Sequence, residues 1–193
     1  MTAERAYVPS MSPAVLLTAD DLLHIDIPGK QVELVRGVLV VREPPGYVHG
    51  DITARLAAAL VTYADAHDLG RVVAGDPGFV LATDPDTVRG PDVAFIRRER
   101  VPHPAPPAFA RFAPDLAIEV LSAHDRPGEV LTKVGDWLSA GTSLVWVVDP
   151  ARRVARVYRA DGSDDAVDPD GMLNGEAVLP GFAVHLPTIL PQL

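Results

Sequence analysis

The chain has 193 residues, 48% of them hydrophobic and 22% charged, which suits one globular domain with a full core. It contains no cysteine, so disulfides, thiolate metal sites and cysteine nucleophiles are excluded. A net charge of −9 argues against a broad basic surface for nucleic acid, though not against a local basic patch beside an acidic metal site.

Residues 1–12 are polar and irregular and read as a flexible N-terminal arm, with residues 13–193 forming one domain. Thr18 has the character of an N-cap, followed by Asp20 and Asp21 in the first turn of a short helix. VELVRGVLVVRE is two β-rich runs broken at Arg36-Gly37, a hairpin by its turn chemistry, and Pro44-Pro45-Gly46 ends it. From Val48 to about His67 the residues Ile52, Leu56, Ala59, Leu60 and Tyr63 fall at helical spacing, and Gly70 reads as the stop. RVVAG and GFVLA, separated by Asp76-Pro77, read as a further strand pair. DPDTVRG (residues 84–90) reads as a loop, PDVAFI as a strand, and the proline-rich residues 102–114 as an irregular surface excursion.

The run LAIEVLS (residues 116–122) is apolar on both faces of a strand, the pattern of a central strand covered on both sides. A helix follows from about Asp125, read as its N-cap, to Ser139, with Val130, Leu131, Val134, Trp137 and Leu138 on its apolar side. Gly141 closes that helix, and SLVWVVD is another apolar strand. ARRVARVYRADG contains an alternating strand, and the tail carries a short strand pattern and a final LPTIL turn. The order predicts an α/β (α+β) fold, a mixed sheet flanked by helices, with a parallel crossover across residues 116–149. No window approaches the roughly 20 apolar residues of a membrane span, and no signal pattern opens the chain. The expectation is a soluble, cytoplasmic protein that does not engage a membrane.

Glu119 sits inside the apolar run, where an unpaired ion costs on the order of several kcal/mol. It needs a bound cation or a basic side chain. Asp92 opens the neighbouring strand-like run, and both acids are one residue out of phase with the bulky Val93, Phe95, Ile118 and Val120. On adjacent strands they share one end of one sheet face, where two carboxylates would bind magnesium, with manganese as a substitute. Lys133 lies at the edge of its helix's apolar stripe, from which its ammonium can reach the acids and orient a water. The set predicts a metal-assisted hydrolase acting at a phosphoryl centre.

PDVAF, PDLAIEVLSAHD, KVGDWLSAG and LVWVVDP together resemble the Uma family of restriction-endonuclease-like proteins, in the PD-(D/E)XK nuclease superfamily. The resemblance runs from Glu33 in ELVRG to Phe182 in LPGF. It implies a restriction-endonuclease-like mixed sheet with an N-terminal β-hairpin, and an endonuclease that leaves a 5′-phosphate. It also implies Asp92 and Glu119 as metal ligands, Lys133 as the third catalytic residue, and Glu33 and His49 as auxiliary residues near the entrance. The superfamily's lysine two residues after the second acid is missing, because Leu121 stands there; Lys133 on the next helix takes its place.

The expected substrate is nucleic acid, DNA above all, cleaved by a homodimer, since duplex cleavage calls for two sites and apolar edge strands invite pairing. A small-molecule phosphoesterase and a non-catalytic binding or assembly module on a nuclease-like fold are the alternatives. Each residue also has a plainer reading: Asp92 and Asp115 as turn residues, Lys133 as a solvated helix residue, His49 as a cap, Glu33 as an ion pair across its hairpin. Trp137 and Trp146 read as core, and Arg97, Arg98 and Arg100 as either phosphate contacts or a solvated loop.

Overall fold

The computed structural model describes residues 15–191, so the expected arm over residues 1–12 lies outside the described residues. The short helix α1 (Ala19–Leu22) is set by a reciprocal cap: the Asp21 N–H donates to the Thr18 hydroxyl, and the Thr18 N–H donates to the Asp21 carboxylate. Strands β1 (Gln31–Val35) and β2 (Val38–Arg42) form an antiparallel hairpin. Its turn residues Arg36 and Gly37 take φ of 49° and 76°, the left-handed pair that a two-residue hairpin turn requires. Helix α2 (Tyr47–Ala66) buries Ile52, Leu56, Leu60 and Ala64, a single stripe at four-residue spacing.

Three local readings change. The left-handed residue that stops α2 is Asp68, at φ 53°, and the Leu69 N–H caps the Ala64 carbonyl; Gly70 already begins β3 (Gly70–Ala74). β3 does not pair with β4 (Phe79–Ala82), because Gly75 and Asp76, at φ 87° and 56°, swing the chain from one sheet to another. DPDTVRG is not loop throughout: Thr87–Arg89 is a buried strand, β5, lying between β1 and β4. Three residues are too few for alternation to show in sequence.

The larger sheet holds β6 (Val93–Arg97), β7 (Leu116–Val120), β8 (Leu144–Asp149), β9 (Val154–Arg159) and β10 (Asp164–Val167), in the order β10-β9-β8-β7-β6-β3. β7 and β8 run parallel through helix α3 (Pro127–Ser139), and the other pairs are antiparallel, so the sheet is mixed. The smaller sheet has the order β2-β1-β5-β4. A two-stranded piece, β11 (Met172–Asn174) with β12 (Ala183–His185), and helix α4 (Leu186–Ile189) complete the fold.

Period-two alternation separates the two cores. Val93, Phe95, Leu116, Ile118, Val120, Trp146 and Val148 pack with α2 and the tail. Ala94, Ile96, Ala117, Val145 and Val147 pack with Trp137 of α3 and Phe79 of β4. β7 is buried along its whole length, as its apolar run demanded. The observed architecture is the expected α+β mixed sheet flanked by helices and preceded by a hairpin.

Candidate functional site

Glu119 belongs to the α3-side face of β7, alternating with Ile118 and Val120 on the other face. Val93 faces Ile118 across the antiparallel pair, so Asp92 is the next position, opposite Glu119 and on the same face. Both are 8% exposed. The sheet therefore brings the two acids together from chain positions that sequence alone could only suggest.

Each carboxylate is held by donors. Asp92 accepts the Val120 N–H at 2.6 Å on one oxygen, and its other oxygen lies 3.0 Å from His49 Nε2. Glu119 accepts the Trp137 indole N–H at 2.8 Å and the Lys133 ammonium at 2.8 Å, one on each oxygen. Trp137 follows Lys133 by one helical turn on α3, so the two donors descend on Glu119 from one face of the helix. Trp137 is fully buried core, as read from sequence, but its N–H also serves the site.

Lys133 makes three contacts: Glu119 at 2.8 Å, Glu33 Oε1 at 3.1 Å and the Gly90 carbonyl at 2.7 Å. The Glu119 and Gly90 contacts are hydrogen bonds and the Glu33 contact is an ion pair, so one of the three N–H groups has no hydrogen-bond acceptor. Glu33 is buried against Lys133, on the face of β1 opposite Leu34, and lines a cavity together with Gln31 and Arg42. It accepts from Arg89 at 2.9 Å and from the Gly90 N–H at 3.1 Å. Arg89 in turn clasps Asp136 of α3 at 2.6 and 3.0 Å. This buried arginine ties the small sheet to α3, and it was missed because β5 read as loop.

The electrostatics follow this geometry. Burial raises the Glu33 pKa, but Lys133 and Arg89 outweigh it and hold the carboxyl down at about 2. Burial dominates at Glu119 and, with help from Asp92, lifts it to about 7 against the pull of Lys133. Burial opposes the charged form of Lys133, yet Glu119 and Glu33 keep its pKa above the ordinary lysine value. Burial also disfavours the His49 imidazolium, and the Asp92 hydrogen bond and charge raise its pKa nonetheless.

Asp76, in the turn between the sheets, is a further acid that the sequence reading passed over. Gln31 donates to it at 2.5 Å, and desolvation followed by the Asp92 charge pushes it up to about 6. Asp125 is not the N-cap of α3; that position is Arg126, and no side chain caps it. Asp125 instead accepts the Ser122 N–H at 2.7 Å and meets Arg42 at 3.3 Å.

Among the described residues no three His, Asp or Glu side chains form a ready-made cation cage. The donor set nevertheless fits a hard divalent ion. Among the described residues, Glu33, Asp76, Asp92, Glu119, Asp125 and Asp136 gather against Arg42, Arg89 and Lys133 as permanent cations. Two of these acids, Glu119 and Asp76, are pushed upward by burial and then by the Asp92 charge, and an added positive charge would offset both.

Arg97, Arg98 and Arg100 lie at the far end of β6 from Asp92 and are engaged elsewhere. Arg100 donates to Asp115 at 2.7 Å, Arg98 pairs with Asp68, and the Arg97 N–H bonds Asp115 at 2.9 Å. Asp115 is thus a buried ion-pair anchor rather than a simple turn residue. No helix among the described residues is long and apolar enough to cross a membrane.

The fold is similar to that of a crystal structure described as a putative nuclease belonging to DUF820 from Anabaena variabilis ATCC 29413. The TM-score is 0.80 at 18% identity, over 90% of this chain and 97% of that one, a likeness of fold. No curated protein matches the chain. A family model described as "Putative restriction endonuclease" matches residues 19–188, nearly the whole described chain, and on that match the protein belongs to the Uma2 family.

Proposed function

We propose that this protein is a divalent-metal-dependent endonuclease that hydrolyses phosphodiester bonds of nucleic acid, DNA above all. The observation that carries the reading is the Glu119–Lys133 pair at 2.8 Å, opposite Asp92 across two adjacent strands. Asp92 and Glu119 would hold magnesium, with manganese as a substitute, through the lone pairs their present donors leave free. When bound, such a cation makes water a usable nucleophile near neutral pH and offsets charge on a phosphoryl oxygen.

The chain's own residues supply the rest. Lys133 favours the ionised form of Glu119 against its burial and, by exchanging its Gly90 carbonyl bond, orients the attacking water. His49 fixes the Asp92 carboxylate from α2, and Glu33 fixes the ammonium of Lys133 from β1. The exposed valines of β2, an edge strand of the smaller sheet, make isologous pairing into a homodimer the expected assembly. A cytoplasmic location accords with a DNA substrate.

The test is a substrate panel of supercoiled plasmid, linear duplex, single-stranded DNA, RNA and a small phosphodiester, each with magnesium, manganese or chelator. Metal-dependent cleavage of polynucleotide supports the reading. Turnover of the small ester alone indicates a phosphoesterase, and binding without turnover indicates a non-catalytic module.

A further inference from the structure

The site contains two arginines of opposite character. Arg89 is almost wholly buried, its side chain 4% exposed, and it is committed to Glu33 and Asp136 through contacts of 2.6 to 3.0 Å. Arg42, the last residue of β2, is 27% exposed, and its contacts are long. Its NH1 reaches Asp125 at 3.3 Å. Its Nε lies 3.4 Å from Glu33 yet is buried without a hydrogen-bond partner. A buried donor left unmade costs about 1–3 kcal/mol, so the present partners of Arg42 leave its guanidinium unsatisfied.

A cavity of about 70 Å³ opens beside this guanidinium, lined by Arg42, Lys133, Glu33, Gln31, Val32 and Phe109 among others. At roughly 10–15 Å³ per water it holds several waters or one tetrahedral anion. Lys133 and Arg89 line it too, but Lys133 holds Glu119 and Gly90 at 2.8 and 2.7 Å, and Arg89 holds Glu33 and Asp136 at 2.6 to 3.0 Å. Of the two acids on the wall, Glu33 is paired with both cations and Asp76 accepts from Gln31. Arg42, with one hydrogen bond at 3.3 Å, is the least committed cation on the cavity wall, and its planar fork suits two oxygens of one phosphate.

We infer that Arg42 is the substrate-binding arginine of the site, gripping a backbone phosphate of the nucleic-acid strand at the cavity beside Lys133. This rests on the nuclease reading. It explains how a chain of net charge −9 engages a polyanion at one point without a basic surface. Only side-chain donors already in place are required, and no bond is made or broken by Arg42 itself.

The test is equilibrium binding of a fluorescein-labelled DNA oligonucleotide, single-stranded and duplex, across a salt series. It is followed by anisotropy with chelator and again with calcium, alongside thermal melts. Arg42→Ala should weaken binding roughly tenfold and flatten the slope of log affinity against log salt by about 0.7 on single strands and about 0.9 on duplex. Arg42→Lys should restore most of the salt slope but only part of the affinity, and the melting temperature should stay near wild type in both. Wild-type affinity and slope in Arg42→Ala, with oligonucleotide still bound, would overturn the assignment and leave the nuclease reading standing. Failure of the wild type to bind oligonucleotide under either condition would overturn both.

Discussion

Glu119 and Lys133 are 14 residues apart in the chain, one on the central strand and one on the following helix, and their charged atoms meet at 2.8 Å. The crossover from β7 into α3 is what makes this possible: the helix returns over the sheet face from which Glu119 projects. The same ammonium touches Glu33, so one lysine neutralises two buried carboxylates from two different sheets.

Lys133→Met keeps most of the stem but strands Glu119, while Glu33 retains Arg89 and the Gly90 N–H. Breaking a buried ion pair from one side costs about 3 kcal/mol or more, so urea unfolding at neutral pH should show a loss of that order. Added magnesium should recover part of it, because a cation can take over Glu119. Turnover should fall about a hundredfold or more, as when a transition-state donor is removed.

Asp92→Asn preserves shape and keeps an oxygen for the Val120 N–H, but it removes the charge that His49 faces at 3.0 Å. The His49 pKa is raised chiefly through Asp92 acting against burial. In the variant the imidazole titration, followed by NMR, should shift downward. Magnesium affinity should fall in parallel, measured by calorimetry. An unmoved His49 titration would mean that the two side chains do not meet in solution.

The pH dependence separates Glu33 from Glu119. Glu33 is held at about 2, below the ordinary glutamate value, so it adds stability above roughly pH 4.5 that is lost as the pH falls toward 2. Glu119 is raised to about 7, so its favourable contribution is complete below about pH 4.5 and is lost as the pH rises through 7. Glu119→Gln cannot ionise, so its stability relative to wild type should improve as the pH rises across that window. Chemical denaturation of both proteins at a series of pH values reads the difference directly.

Trp137→Phe deletes the indole donor while leaving an aromatic ring in the core. Loss of a hydrogen bond to a charged acceptor costs about 2 kcal/mol, which a melting curve should detect. Because the Trp137 indole touches Glu119, its fluorescence should change on magnesium binding. That response should vanish in Trp137→Phe, where Trp146, on the other face of the sheet, is the remaining tryptophan.

The long elements were legible because their signals were long. The stripe of α2 and the unbroken apolar run of β7 fixed both faces of the main sheet, and the buried position of Glu119 made it stand out. Lys133 at the margin of its helix's apolar side pointed correctly toward the acids. The misreadings were local. β5 spans three residues, and its Arg89 is an ion buried among partners from distant segments, so nothing near it in sequence marks it. Asp125 has the chemistry of an N-cap, but tertiary contact with Arg42 and the Ser122 N–H claims it instead. Asp76 enters the site only because two left-handed residues turn the chain between sheets, a conformation that a Gly-Asp-Pro sequence permits without announcing.

The central claim is that Asp92, Glu119 and Lys133 act as one metal-dependent hydrolytic site on DNA. The most direct measurement is the rate of conversion of supercoiled plasmid in magnesium by wild type, Asp92→Asn, Glu119→Gln and Lys133→Met, prepared identically. The account predicts conversion by wild type that stops with chelator and is abolished, or reduced at least a hundredfold, in all three variants. Conversion at the wild-type rate by all three variants would contradict it and assign the activity to another site or another protein.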